Sequence, residues 1–265
     1  MAWVDVANKT TLEYENTATA ANTYADAPGT YSGGIRTYTT PGTGLVNKMY
    51  ARTRIKGEIN LSTYSEDYTV AANAGWAKWN STATKDTAVE PLTGTTTANT
   101  IVPSTASHSF HGMYKVSSQA SSTGSIYAKA NGYNYLNIVF RKDAGDSQGV
   151  QFNLSDGTIT ASDRATGKIT SVGDGWYRCS ITPTNTDTST QLWFNVTDGG
   201  TPNTGNFFSG PNWVPDGTKS MLMWGAMISD GLNIKKYKKT VAAVSTTIER
   251  GELSKDFYDA THVGF

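Results

Sequence analysis

From residue 58 to residue 232 one local pattern recurs: a short run in which apolar and polar residues alternate, followed by a turn signal. In Tyr135-Leu136-Asn137-Ile138-Val139-Phe140-Arg141, Leu136, Ile138 and Phe140 fall on one side of an extended chain. Tyr135, Asn137 and Arg141 fall on the other, because successive side chains of a strand point to opposite faces. The same split sets Tyr177, Cys179 and Ile181 against Trp176, Arg178 and Ser180. It also sets Leu192, Phe194 and Val196 against Gln191, Trp193 and Asn195. Runs this short with a period of two require a sheet with one buried face.

Turn chemistry agrees. Asp156-Gly157 lies between Phe152-Asn153-Leu154 and Thr158-Ile159-Thr160, and Asn131-Gly132 separates residues 126–130 from 135–141. Asn-Gly and Asp-Gly supply the positive φ angles of tight turns, so residues 126–141 predict a hairpin. With 40 Thr, 23 Ser, 18 Asn and 26 Gly against only 17% charged residues, hydroxyls and amides must supply the polar surface. Thr favours strands, while Gly and Asn favour turns. Long helices and coiled coils need Ala, Glu, Lys and Leu in quantity. The expected class is all-β, in a chain of 265 residues that can bury a substantial core.

Several function classes fall away at this stage. Lys plus Arg equals Asp plus Glu at 22 each, and a neutral chain lacks the basic surface of a general nucleic-acid binder. The single cysteine, Cys179, leaves no intramolecular disulfide and no cysteine zinc site. It falls on the apolar side of its strand and reads as an inert buried thiol. No apolar run approaches the roughly 18 residues of a membrane helix. The start, Met1-Ala2-Trp3-Val4-Asp5, lacks the basic-then-apolar order of a secretory signal. Synthesis in the cytoplasm without export is the expectation.

Three segments are expected. Residues 1–57 carry Thr10–Glu15 as a strand candidate and Pro28-Gly29 and Pro41-Gly42 turns, with few apolar residues. They read as an attachment arm or a small β subdomain. Residues 58–232 hold the sandwich. Residues 233–265 hold the basic run Lys235-Lys236-Tyr237-Lys238-Lys239 and a β-branched stretch from Val241 to Ile248. Such a run reads as a solvated segment or a partner contact. Arg54-Ile55-Lys56-Gly57-Glu58-Ile59-Asn60 is echoed by Glu249-Arg250-Gly251-Glu252-Leu253-Ser254. An echo on either side of the sandwich is what a single module split by an insertion would show, with 233–265 packing on 1–57.

Motifs for chemistry are sparse. His108 and His111 are three apart, which places strand residues on opposite faces and makes a poor metal pair; His262 stands apart. No Gly-x-Ser-x-Gly elbow, phosphate loop or dinucleotide fingerprint occurs. Asp143 and Asp146 share a loop and read first as turn formers, with calcium ligation or an acid/base couple as alternatives. Trp76 and Trp79 read as packing residues near a strand edge. The outward faces are more informative: sugars stack on flat rings while amides and guanidinium groups take their hydroxyls. Tyr135, Asn137, Arg141, Trp176, Arg178, Trp193 and Asn195 meet that demand if their strands adjoin. The competing reading makes these rings anchors under another subunit or a terminal arm.

Residues 61–68, Leu61-Ser62-Thr63-Tyr64-Ser65-Glu66-Asp67-Tyr68, then Trp76 and Trp79, open a run of motifs that continues in order. Thr95–Asn99, Ser125-Ile126-Tyr127-Ala128-Lys129-Ala130 and Phe152–Thr158 follow. Val172-Gly173-Asp174-Gly175-Trp176-Tyr177-Arg178-Cys179-Ser180 and Met223-Trp224-Gly225-Ala226-Met227-Ile228 complete it. This series resembles the carbohydrate-binding-module-like, concanavalin-A-like jelly-roll domain of tailed-bacteriophage virion proteins. Capsid decoration proteins, head fibres and tail fibres carry it. The resemblance spans about two thirds of the chain and departs after Ile228. It implies an antiparallel jelly-roll β-sandwich that needs no cofactor, in a non-enzymatic virion protein made in the host cytoplasm. Partners would be other capsid or tail proteins and a host-surface glycan, with neither nucleic acid nor membrane insertion. A dimeric or trimeric homo-oligomer is expected. A decoration or head-fibre role is preferred, since no long shaft of repeats is present. A tail-fibre or receptor-binding protein is the alternative, and a glycan depolymerase ranks below it.

Overall fold

The computed structural model describes residues 9–18, 30–32, 35–37, 45–55, 60–71, 75–119, 122–142, 146–184, 189–208, 210–231, 234–242 and 250–253. Two compact units emerge, Met1–Gly57 with Thr247–Phe265 and, separately, Glu58–Thr246. The first unit contains β1 (Lys9–Ala18), β2 (Thr30–Ser32), β3 (Ile35–Thr37) and β4 (Leu45–Ile55). The last strand among the described residues, β17 (Arg250–Leu253), joins them. β4 is the middle strand of a three-stranded antiparallel sheet, between β1 and β17. Arg52 is thereby the register partner of both Glu13 and Glu252, and Arg54 that of Arg250. Strands from the two chain ends thus pair directly. Of the echoed stretches, residues 56–59, 249 and 254 lie outside the described residues.

The second unit is a β-sandwich of two six-stranded antiparallel sheets. Its strands are β5 (Ala77–Trp79), β6 (Ser81–Val89), β7 (Thr96–Pro103), β8 (His111–Gln119), β9 (Ser122–Asn131) and β10 (Tyr135–Arg141). They continue as β11 (Ser147–Asn153), β12 (Thr158–Asp163), β13 (Ala165–Gly173), β14 (Trp176–Pro183), β15 (Ser189–Thr197) and β16 (Ser220–Asp230). One sheet has the order β12-β11-β10-β15-β8-β5 and the other β13-β14-β9-β16-β7-β6. No helix occurs among the described residues.

The alternation read from the sequence sets the core. Leu136, Ile138, Phe140, Cys179, Ile181, Leu192, Phe194 and Val196 all line it, with Tyr177 packed against its margin. Trp76 and Tyr68 belong to the same core, both fully buried and 5.7 Å apart edge to face.

Two expectations need correction. The Asn131-Gly132 turn does not close a hairpin, because β9 and β10 belong to different sheets. Gly132 takes a φ of 104° and Tyr133 N–H bonds to the Ser220 carbonyl, so the chain crosses the sandwich there. Both strands carry an aliphatic inward face, and each face is buried better across the core than beside the other. Hairpins instead join β6–β7, β10–β11, β11–β12 and β13–β14. In the last, Asp174 and Gly175 have φ of 51° and 75°, the pair of left-handed angles a two-residue turn requires.

The second correction concerns the boundary at 232. Residues 234–242 form a strap on the sandwich, within the unit that ends at Thr246. Tyr64 and Ser65 N–H bond to the carbonyls of Val241 and Thr240. Asn60 Nδ2 reaches the Lys238 carbonyl at 2.8 Å, and Thr240 N–H donates to Ser65 Oγ at 2.8 Å. A basic run is polar in its side chains, but its backbone still seeks partners.

Candidate functional site

The outward face of the first sheet gathers five of the seven proposed contact residues. β10 lies between β11 and β15, and β8 follows β15. Asn137 faces Gln151 on β11 and Asn195 on β15, and Asn195 faces Gly112 on β8. In the next outward row Val139 faces Gly149 and Trp193, and Trp193 faces Tyr114. Tyr135 and Arg141 flank these rows on β10.

This plate is covered by the chain itself. Trp193 is only 2% exposed. Tyr114 stacks on it at 4.1 Å, and Phe110 and Phe208 meet it edge to face at 4.4 and 4.8 Å. Its indole N–H donates to Gln191 Oε1 at 2.7 Å. Phe208 stacks on Phe110 at 4.2 Å, and the Arg141 guanidinium sits 4.4 Å above Phe208. Asn195 Oδ1 accepts from His111 N–H at 2.7 Å, while its Nδ2 donates to the Ser109 carbonyl. The loop from β15 to β16 forms the cover. Gln151 Nε2 donates to the Gly200 carbonyl, Arg164 to the Gly205 carbonyl, and Phe208 N–H to Ser147 Oγ. Asn137 is buried, and its Oδ1 has no hydrogen-bond partner.

Trp176 and Arg178 do not join this group. They lie on β14, in the other sheet, and face out on the opposite side of the sandwich. The condition that all the strands adjoin therefore fails for these two. Trp176 is 3% exposed and clusters with Ala98, Tyr127 and Trp224. Arg178 Nη2 donates to Ser125 Oγ at 3.2 Å and to the Lys235 carbonyl at 2.5 Å. Tyr237 of the strap lies 4.8 Å from Trp224 and 6.0 Å from Tyr127. Its hydroxyl bonds to Ser65 Oγ and Glu66 Oε1, and burial drives its pKa far up. Both tryptophans expected to stack on sugars are thus used in packing.

The exposed ring is one that sequence reasoning assigned to packing. Trp79, on edge strand β5, is 47% exposed, while Trp76 is buried. β5 is three residues long, too short for alternation to separate the two.

The remaining candidates also resolve. Cys179 is fully buried, and desolvation raises its pKa far above that of a free thiol. Asp146 pairs with Arg164 at 2.6 Å, while Asp143 and His262 lie outside the described residues. The His108 and His111 rings are neighbours at 6.4 Å rather than on opposite faces, because His108 precedes the strand. His111 is buried with Nδ1 on the Asn80 carbonyl at 3.1 Å and Nε2 on the His108 carbonyl at 3.0 Å. Burial lowers its pKa against the opposing pull of those carbonyls. Among the described residues no three His, Cys, Asp or Glu side chains gather as a metal site. No protein-family pattern matches the chain, and a search of curated proteins found no match to it.

Proposed function

We propose that the chain is a non-enzymatic structural protein of a bacteriophage particle, most simply a capsid decoration or head-fibre protein. In this reading its two ends form the mount, and the sandwich, of jelly-roll type, is displayed from it. The supporting observation is the pairing of β4 with β17. Strands from both ends of the chain share one sheet, with residues 58–246 between them. An insertion held at both ends suits display on a particle. The covered outer plates favour particle stabilisation over a broad sugar platform built from Tyr135, Asn137, Arg141, Trp176, Arg178, Trp193 and Asn195. Partners would be other capsid or tail proteins.

Light scattering on the full chain and on residues 58–246 tests the mount. A dimeric or trimeric full chain that becomes monomeric on trimming is expected. A monomeric full chain, or an oligomer that survives trimming, overturns the assignment of assembly to the ends. Immunogold labelling of particles from the producing host tests location: gold on heads is expected, and label confined to the soluble fraction overturns the reading.

A further inference from the structure

The strap holds an arrangement that the display role does not use. Four of its five residues from 235 to 239 are lysines. A free basic run would spread its charge over many conformers. Here the backbone is fixed from below. Arg178 holds the Lys235 carbonyl, Asn60 the Lys238 carbonyl, and Ser65 the backbone at Thr240. Tyr237 is anchored between them by Trp224 and by Glu66.

Neutralisation is incomplete. Lys239 pairs with Glu66 at 2.5 Å. Among the described residues Lys235, Lys236 and Lys238 make no ion pair, and neither does Lys129, which follows Tyr127 by two residues on the same outward face of β9. The Arg178 guanidinium lies 5.5 Å from the Tyr127 ring and adds its charge to this side. In a chain of zero net charge, the strap thus carries a local excess of positive charge on a pre-ordered backbone, with Lys236 exposed and Lys235 and Lys238 half-buried. Ordering has already been met by folding, so a partner does not have to supply it.

We propose that the strap, with Lys235, Lys236 and Lys238 as its contacts, is a binding strip for an acidic polysaccharide bearing carboxylates along its length. A duplex presents about one charge per 1.7 Å of axis and calls for a broad basic face. This strip is one segment wide. A single nucleic-acid strand needs exposed rings for its bases, and Tyr127, Trp176 and Trp224 are buried. A linear chain of spaced carboxylates asks only for a line of ammonium groups. The proposal goes beyond the particle reading and stands without it.

The test uses the full chain and immobilised polygalacturonate as probe, with dextran and duplex DNA in parallel. The expected result is retention on polygalacturonate that weakens as salt rises, no retention on dextran, and weaker binding to DNA. Lys235→Ser/Lys236→Ser/Lys238→Ser should lower polygalacturonate affinity by about tenfold or more. These substitutions spare Tyr237 and every backbone bond, so an unchanged melting temperature is expected. As a second variant, Lys168→Ser on β13 should bind as the parent does. Overturning results are equal binding by parent and triple variant, equal retention on dextran, or tighter binding to duplex DNA, which would assign the strip to nucleic acid. No binding by the parent at low salt also overturns it.

Discussion

Two glycines decide more than most of the large side chains around them. A Cβ on Gly149 would lie 2.2 Å from a ring carbon of Phe207, which is buried against that position. The loop that covers the first plate is seated there. A Cβ on Gly112 would lie 2.0 Å from the Phe194 carbonyl oxygen, inside the β8–β15 pairing. Neither contact can be relieved without moving a buried ring or a backbone. Gly149→Ala should lift Phe207 and destabilise by about 2 kcal/mol or more. Loop opening should appear as increased hydrogen exchange at Gly205 and Phe208 before global unfolding. If exchange at those amides is unchanged, Phe207 does not fasten the loop.

His111 gives a pH dependence at the same scale. Its folded pKa lies below the ordinary 6.5 because burial disfavours the charged ring. The unfolded chain then binds the proton more readily. Stability from this group is full above about pH 6.5 and is lost as pH falls from there through the lower folded value. His111→Gln should flatten the slope of melting temperature against pH between about 7 and 5. An unchanged slope removes His111 as its source.

Among elements, the strap and the edges stand out. Tyr237→Phe keeps the ring on Trp224 but removes the hydroxyl shared with Ser65 and Glu66. Because the lost bonds include one to a carboxylate, a cost of about 1 to 2 kcal/mol is expected in denaturant unfolding. A change near zero would mean that the strap is held by its backbone bonds alone. The edge strand β6 breaks register between Thr84 and Ala88, where Asp86 takes a φ of 56° and Lys85 pairs with Asp67. A bulge with charges on an edge discourages pairing with another chain. Edge strand β13 keeps Lys168 in its middle for the same effect. At the corners between sheets, Asn80 and Arg164 adopt φ of 45° and 50°. Asn tolerates that conformation. Arg164 is held in it by Asp146 and by the carbonyls of Ser147 and Gly205.

At the scale of the whole molecule, the chain divides into two compact units, to which the proposed function gives separate tasks, mounting and display. Residues 58–246 bury a continuous core, while the first unit's main sheet consists of three strands drawn from both chain ends. Small sheets of that kind gain from assembly, which is why the solution-mass experiment is directed at the ends.

The all-β class, the inward faces of β10, β14 and β15, and the turn at Asp156-Gly157 were legible in the sequence alone, whereas the two-residue turn at Asp174-Gly175 emerged with the β13–β14 pairing. The legible features depend on side-chain alternation and local φ preference, which act over a few residues. Which strands adjoin depended on the assembled fold. It separated Trp176 and Arg178 from Trp193 and Asn195, turned the Asn131-Gly132 hairpin into a crossing, and folded the 198–213 loop and the strap over the outward rings. Trp193 and Trp79 both sit at outward positions of the same sheet, yet one is buried and the other exposed. What separates them is distant chain: Phe208 follows Trp193 by 15 residues and packs on it, while Gly149, on another strand, leaves room for the adjoining Phe207 ring. Alternation reports which side a residue faces; whether anything covers that side depends on contacts between segments far apart in the chain.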